Sequence, residues 1–362
     1  MAATDSPLFR MTRQTRTDFW NDSCAVDELA YAIERGAVGA TTNPSIVVEV
    51  LRKERDHWLP WVLELADANP CWTEVELAWA TAEAMATRGA AMLEPVFERT
   101  AGRKGRLSFQ TDPAAHPDAG RMVEQALHFT SLAPNIQVKF PATGPGLEAI
   151  ESATARGVTI TGTVCFSVAQ AVAVAEAVER GLDARSRAGG DTSRMAPVCA
   201  LMIGRLDDWL KVLVERDGLA VHPNAPDWAG IAVFKRAYRL FSERGYRTRL
   251  LAAAYRHRLH WTELVGADAI MTLPHAWQVR FEASGIEPLP RIDEPVDPAL
   301  VADLEARLPD FRRAYAPDGL AIPDFSTFGP TARTLRQFIR STHDLVGAIR
   351  DIVLPDPDVR AA

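Results

Sequence analysis

The run "NIQVKFPA" at residues 135–142 puts one lysine, Lys139, inside an otherwise apolar, strand-like stretch. Side chains alternate along a strand, so Ile136, Val138 and Phe140 share one face and Gln137 and Lys139 the other. If the strand is covered on both faces, the apolar set lies under helices and Lys139 points to an interior. Burial there disfavours the ammonium form and lowers the pKa. A neutral lysine amine attacks carbonyls and forms a Schiff base. The competing reading is a salt-bridged lysine at a strand end.

Schiff-base chemistry needs acid–base and anion-binding partners at neighbouring strand ends. Reading those ends gives Asp22, Asn43, Gln110, Asp112, Thr163, Arg205, Arg256 and His275. Structural alternatives stay open for several. Asp22 suits a helix N-cap before "VDELAYAI", and Asn43 suits a turn before Pro44. Arg205 suits a pair with Asp208 on one helix turn, and Arg256 lies in the basic run "YRHRLH". Together the set describes a carbonyl-binding site with an anion clamp.

Positioning these residues needs eight strands. Strand-like segments fall at 18–22, 38–44, 105–112, 135–142, 157–166, 196–204, 247–255 and 268–274. Segments of helical period separate them, among them "VDELAYAIERG" and "VAQAVAVAEAVERG", which both end in Gly. Alternating strands and helices imply parallel βα units, and eight units predict an α/β fold of the (β/α)8 TIM-barrel type. In such a barrel the active site lies at the C-terminal ends of the strands. A doubly wound open sheet is the rival, but no GxGxxG follows the first strand. Residues 58–104 read as a helical insertion, and 297–352 as an added C-terminal helical pair, "PALVADLEARLPDFRRAY" and "PTARTLRQFIRSTHDLVGAIRDIVL". Residues 183–194 read as a polar loop. No repeat or low-complexity linker divides the chain, which is expected to be one domain over 1–362.

Composition narrows the function classes. Hydrophobic residues make up 47% of the 362 and charged residues 24%, the mix of a globular protein with ample core. The formal charge of −7 comes without a basic block, which argues against nucleic acid or an anionic membrane as partner. No signal-like N-terminus or ~20-residue apolar run is present, and the expected location is cytoplasmic. The four cysteines form no CxxC, the histidines no HExxH, and no phosphate-loop motif GxxxxGK[ST] occurs. His257 with His260 is a weak i, i+3 pair. No metal is expected.

The segments "GATTNPSI", "IQVKFPATGPGLEAI", "TGTVCFSVAQA", "MIGRLDDWL" and "LLAAAYRHRLHWTELVGADAIMTLP" resemble the transaldolase family, in its order and at about its spacing. The resemblance covers roughly 18–350 and is greatest to the longer bacterial type. It implies a class I aldolase-like barrel that needs no cofactor and acts on sugar phosphates. It also implies roles: Lys139 for the Schiff base, Asp22 for the proton of the C4 hydroxyl, Asn43 for the donor's hydroxyls, Thr163 for the catalytic water, and Arg205 and Arg256 for phosphate. Departures surround this set. Gln110 replaces the family's glutamate, Thr161 an asparagine and Ala200 a serine. Met202 lies where an aldolase branch has tyrosine. An amide orients water but does not exchange protons. The resemblance therefore implies transfer of a dihydroxyacetone unit, with its water-handling shell altered. The alternatives are an aldolase releasing dihydroxyacetone, and a catalytically weakened sugar-phosphate-binding paralogue. Donor, acceptor and oligomeric state, a homodimer included, stay open.

Overall fold

The computed structural model describes residues 6–358. In chain order, α1 (Pro7–Gln14), β1 (Asp18–Asn21), α2 (Val26–Glu34) and β2 (Gly39–Thr41) lead into α3 (Pro44–Lys53), α4 (Arg55–Ala68) and α5 (Glu74–Arg99). Next come β3 (Arg106–Gln110), α6 (Ala119–Leu132), β4 (Ile136–Pro141), α7 (Gly144–Ala155), β5 (Ile160–Cys165) and α8 (Val168–Arg187). The barrel continues through β6 (Val198–Leu201), α9 (Ile203–Asp217), α10 (Pro226–Arg244), β7 (Arg249–Ala252), α11 (Leu259–Thr262) and β8 (Ile270–Leu273). Four helices follow the last strand: α12 (His275–Ala283), α13 (Pro298–Arg307), α14 (Pro309–Tyr315) and the long α15 (Gly329–Val353).

The eight strands form a closed barrel in sequence order, every pair parallel, with β1 hydrogen-bonded to β8. This is the expected (β/α)8 architecture. Each strand lies within its predicted segment, and the alternation on β4 holds. Ile136, Val138 and Phe140 are buried in the apolar core, while Lys139 opens on the barrel's upper cavity. The register pairs Gln110 with Lys139 and Lys139 with Thr161. Ser108 Oγ and Thr161 Oγ1 are 2.7 Å apart, and Gln137 Nε2 donates to Thr161 Oγ1 at 2.9 Å. Three polar residues thus bond to one another inside the barrel, which partners both hydroxyls and the Gln137 amide nitrogen, while Gln137 Oε1 has no partner among the described residues.

Three local expectations change. The helix expected to stop at Gly181 runs on to Arg187, so part of the predicted 183–194 loop is helical. A Cβ at Gly181 would lie 2.6 Å from Thr154 Cβ and 2.7 Å from the Glu151 carbonyl oxygen. That glycine lets α8 lie close to α7 rather than ending the helix. The stretch "PALVADLEARLPDFRRAY" breaks at Leu308, because the residue before Pro309 is pushed towards extended backbone. Within 58–104, α5 buries an apolar face from Leu77 to Phe97 and packs on β3, so it covers the barrel as its other helices do.

The C-terminal helix matters most for the site. α15 packs across α3, α4, α5 and α9 and reaches β5, which brings it over the barrel's C-terminal face. α9 starts with a tight approach: a Cβ at Gly204 would lie 1.9 Å from the Ala254 carbonyl oxygen and 2.8 Å from Arg256 Cγ. Gly204→Ala is expected to destabilise the fold by about 1–3 kcal/mol, as overpacking does. It should also weaken anion binding, because it pushes the start of α9, which carries Arg205, away from the segment after β7, which carries Arg256. Chemical denaturation alongside phosphate titration checks both effects, and unchanged stability would contradict the close approach.

Candidate active site

A cavity of ≈130 Å³ opens at the C-terminal ends of the strands. Asp22, Asn43, Lys139, Thr163, Ala200, Met202, Arg205 and Arg256 line it, as do Thr41, Thr272 and Ala254. Gln110 and Thr161 do not. Thr161 is held in the polar layer beneath. Gln110 faces an adjoining recess of ≈20 Å³ together with Asn43, Phe109, Trp79 and Thr342. That volume is about the size of one water molecule. The Gln110 Oε1 atom is buried and has no hydrogen-bond partner among the described residues.

Lys139 is 6% exposed, and its Nζ donates to the Thr42 carbonyl at 3.0 Å. Burial lowers its pKa from the usual lysine value to about 8, with Arg205 adding to the shift and Asp22 opposing it. Roughly a tenth of the amine is then neutral at pH 7. Asp22 follows β1, and its N–H donates to the Leu273 carbonyl. Its carboxylate accepts from Thr41 Oγ1 at 2.5 Å, and Thr41 in turn meets Thr272 Oγ1 at 2.8 Å. Burial raises the Asp22 pKa, while Thr41, Lys139 and the two arginines hold it back. A carboxyl tuned upward in this way accepts a proton more readily than an exposed one. Asp22 does not cap the following helix; Ala25 occupies that position.

Asn43 does cap its helix, since its Oδ1 accepts from Ile46 N–H at 3.1 Å. The same side chain lines the cavity, so the two readings of Asn43 coexist. Arg205 does not pair with Asp208. Asp208 instead takes Arg256, accepting from its Nη2 at 2.8 Å and its Nε at 2.9 Å. Arg205 donates to Gln337 Oε1 and lies over the Phe338 ring at 5.3 Å, both on α15. Asp112 caps a short turn by accepting from Ala114 N–H and stands 3.6 Å from Arg121. His275 packs edge-on against Tyr31. Neither lines the cavity.

Two non-glycine residues at the cavity carry left-handed backbone. Val164, directly after Thr163, has φ +52°, and Ala254, two residues before Arg256, has φ +67°. A β-branched residue there is strained, and such strain clusters at functional sites. The β5–β6 register shifts at the same point. Tyr255, between Ala254 and Arg256, is buried, with its hydroxyl unpartnered among the described residues. Burial and the Asp22 charge keep that phenol protonated. Thr41, Thr272, Tyr255 and the contacts of α15 are not marked by the sequence alone. The two threonines are legible only once the strand register is known.

Asp207, His257 and His260 lie close enough to suggest a metal site. The hydrogen bonds argue otherwise. His260 Nδ1 accepts from the Arg256 backbone N–H at 3.2 Å, and its Nε2 stands 2.7 Å from Asp207 Oδ2. Burial keeps this ring neutral. The only neutral tautomer that fits carries its proton on Nε2, towards Asp207, and a metal at Nε2 would put two N–H groups face to face at Nδ1. The Asp207–His260 pair therefore props the backbone that bears Arg256.

The sequence pattern of the family described as Transaldolase/Fructose-6-phosphate aldolase matches residues 19–308. The chain belongs to this family. A transaldolase of Thiobacillus denitrificans is 30% identical over 303 residues, which cover 77% of this chain and 82% of that protein. A transaldolase of Mycobacterium ulcerans is 29% identical over 264 residues, 66% of this chain and 70% of that protein. One of Acidothermus cellulolyticus is 28% identical over 294 residues, 71% and 76% respectively. Within this transaldolase/aldolase family member, the lysine, carboxylate and arginines converge on one cavity. Among the described residues, no helix is long and apolar enough to cross a membrane.

Proposed function

We infer that the protein is a transaldolase: it moves a dihydroxyacetone unit from a ketose phosphate to an aldose phosphate. The observation that carries this reading is the buried amine of Lys139 in one cavity with Asp22 and two arginines. The neutral amine adds to the donor's C2 carbonyl, and loss of water gives an iminium. Asp22 takes the C4 hydroxyl proton while the C3–C4 electron pair moves into the iminium. An aldose phosphate leaves, and a three-carbon enamine stays on Lys139. The acceptor aldehyde then bonds to the enamine carbon, and its oxygen takes the proton back from Asp22. Water hydrolyses the new iminium and frees the amine. Thr163 and Asn43 orient the donor and the water, and Arg205 and Arg256 bind the phosphate.

Gln110 lacks the proton-exchanging capacity of a glutamate. In this reading it orients one water in the recess it shares with Asn43 and Thr342. Met202 and Ala200 present no hydroxyl to protonate the enamine, which favours transfer over release of free dihydroxyacetone. The same reading places the enzyme in the cytoplasm.

The test is reductive trapping. Incubation with fructose 6-phosphate and borohydride is expected to add a three-carbon fragment at Lys139, seen by intact mass. Erythrose 4-phosphate added before the reductant should discharge that fragment into a new ketose phosphate. Discharge without an acceptor would replace transfer by aldol cleavage. No adduct with any ketose phosphate would remove both.

A further inference from the structure

A second recess, of ≈110 Å³, adjoins the catalytic cavity and shares Arg205 and Arg256 with it. Its other walls are Asp208 and, from the start of α15, Pro330, Arg333, Thr334 and Gln337. We propose that Arg333 is the third arginine of the phosphate site, and that it makes the enzyme select phosphorylated substrates. The inference rests on the transaldolase reading above and extends it to a residue of the C-terminal helix.

Charge balance supports it. Three guanidinium groups and one carboxylate line the recess, a net of two positive charges in a protein of net −7. A phosphate monoester carries about −1.5 to −2 near pH 7 and so matches that excess. The partners already formed say which arginines are available. Asp208 engages the Nε and Nη2 edge of Arg256, and the Tyr255 carbonyl accepts from its Nη1 at 3.0 Å. Arg205 has only the neutral Gln337 as hydrogen-bond partner, and Arg333 has no ion-pair partner among the described residues. Two arginines without a carboxylate therefore face one recess, beside a third that Asp208 already holds.

The helix adds to this. α15 begins at Gly329, and its first turn forms the recess wall through Pro330. The N-terminal end of a 25-residue helix carries partial positive charge and free backbone N–H groups. Gln337 and Phe338 on the same helix hold Arg205 in place. Bringing three like charges together costs energy, which Asp208 offsets in part and a bound anion offsets further. Burial, Arg256 and, least, Arg333 lower the pKa of Arg205, against Asp22 and Asp208.

The test compares Arg333→Gln with the parent protein. In the variant, KM for fructose 6-phosphate and the inhibition constant of inorganic phosphate should both rise about 10- to 100-fold, the value of a charge-assisted hydrogen bond. Trapping of unphosphorylated dihydroxyacetone on Lys139, which presents no phosphate to the site, should change far less. Arg333→Lys, which keeps the charge and loses the fork, should recover part of the affinity. A merely structural role would change both substrate types together. Calorimetric titration with inorganic phosphate reads the site without catalysis. Equal phosphate affinity in Arg333→Gln and the parent would overturn the inference and leave the transaldolase reading intact. Failure of the parent to form any ketose-phosphate adduct would overturn that reading instead, while the calorimetry would still decide on Arg333.

Discussion

Lys139→Met is expected to remove turnover by on the order of 10⁴- to 10⁶-fold, the loss seen when a covalent nucleophile is deleted. It should also abolish the borohydride-trapped adduct. The same change should stabilise the fold. The folded protein holds the Lys139 pKa at about 8, against 10.5 for an ordinary lysine. Below pH 8 the amine is charged in both the folded and unfolded states, so the whole burial penalty opposes folding. As pH rises through 8 towards 10.5, the folded state sheds its proton first and the penalty fades. Methionine fills similar space without the charge. The stabilisation should approach on the order of 3 kcal/mol below pH 8 and shrink above it. Denaturation of both proteins across this range checks the trend. Equal stabilities at pH 6 would show that Lys139 is not desolvated.

Asp22→Asn separates proton transfer from Schiff-base formation. Loss of the carboxylate should lower turnover ~100- to 10,000-fold. Trapping of dihydroxyacetone needs no C–C cleavage, so it should survive. Its pH dependence should move in a defined direction. The Asp22 charge raises the Lys139 pKa and the Arg205 charge lowers it. The midpoint of trapping, about pH 8 in the parent, should therefore fall in Asp22→Asn and rise in Arg205→Gln. A midpoint that ignores both substitutions would mean that these charges do not act on the amine. Full turnover in Asp22→Asn would assign the base elsewhere.

The residues legible in the sequence are those whose role follows from strand alternation and strand ends. Lys139 could be placed because its neighbours Ile136, Val138 and Phe140 mark the opposite face. Asp22, Asn43, Arg205 and Arg256 could be placed because barrels build their sites at one end. Contacts between distant segments were not legible. Nothing near Asp22 in sequence says that Thr41 and Thr272 will orient it; parallel pairing across the β8–β1–β2 seam does that. Asp208 is three residues from Arg205 and still pairs with Arg256, because α9 turns it towards the end of β7. Gly181 read as a helix stop because its packing partner lies on another helix. Nothing in the sequence marks Arg333, because α15 has the pattern of an ordinary amphipathic helix and only its packing sets it over the barrel mouth.

The position of α15 also divides the labour of the site between two stretches of chain. The hydrogen-bonded ring of strands is complete at Leu273, and α15 starts only at Gly329. Lys139 and Asp22 lie within the span of the ring, whereas Gln337 and Phe338, which fix Arg205, lie on the later helix. Changes confined to α15 can therefore retune which carbonyl compounds are held without touching the groups that make and break bonds. Reactivity and choice of substrate are separately adjustable parts of one chain.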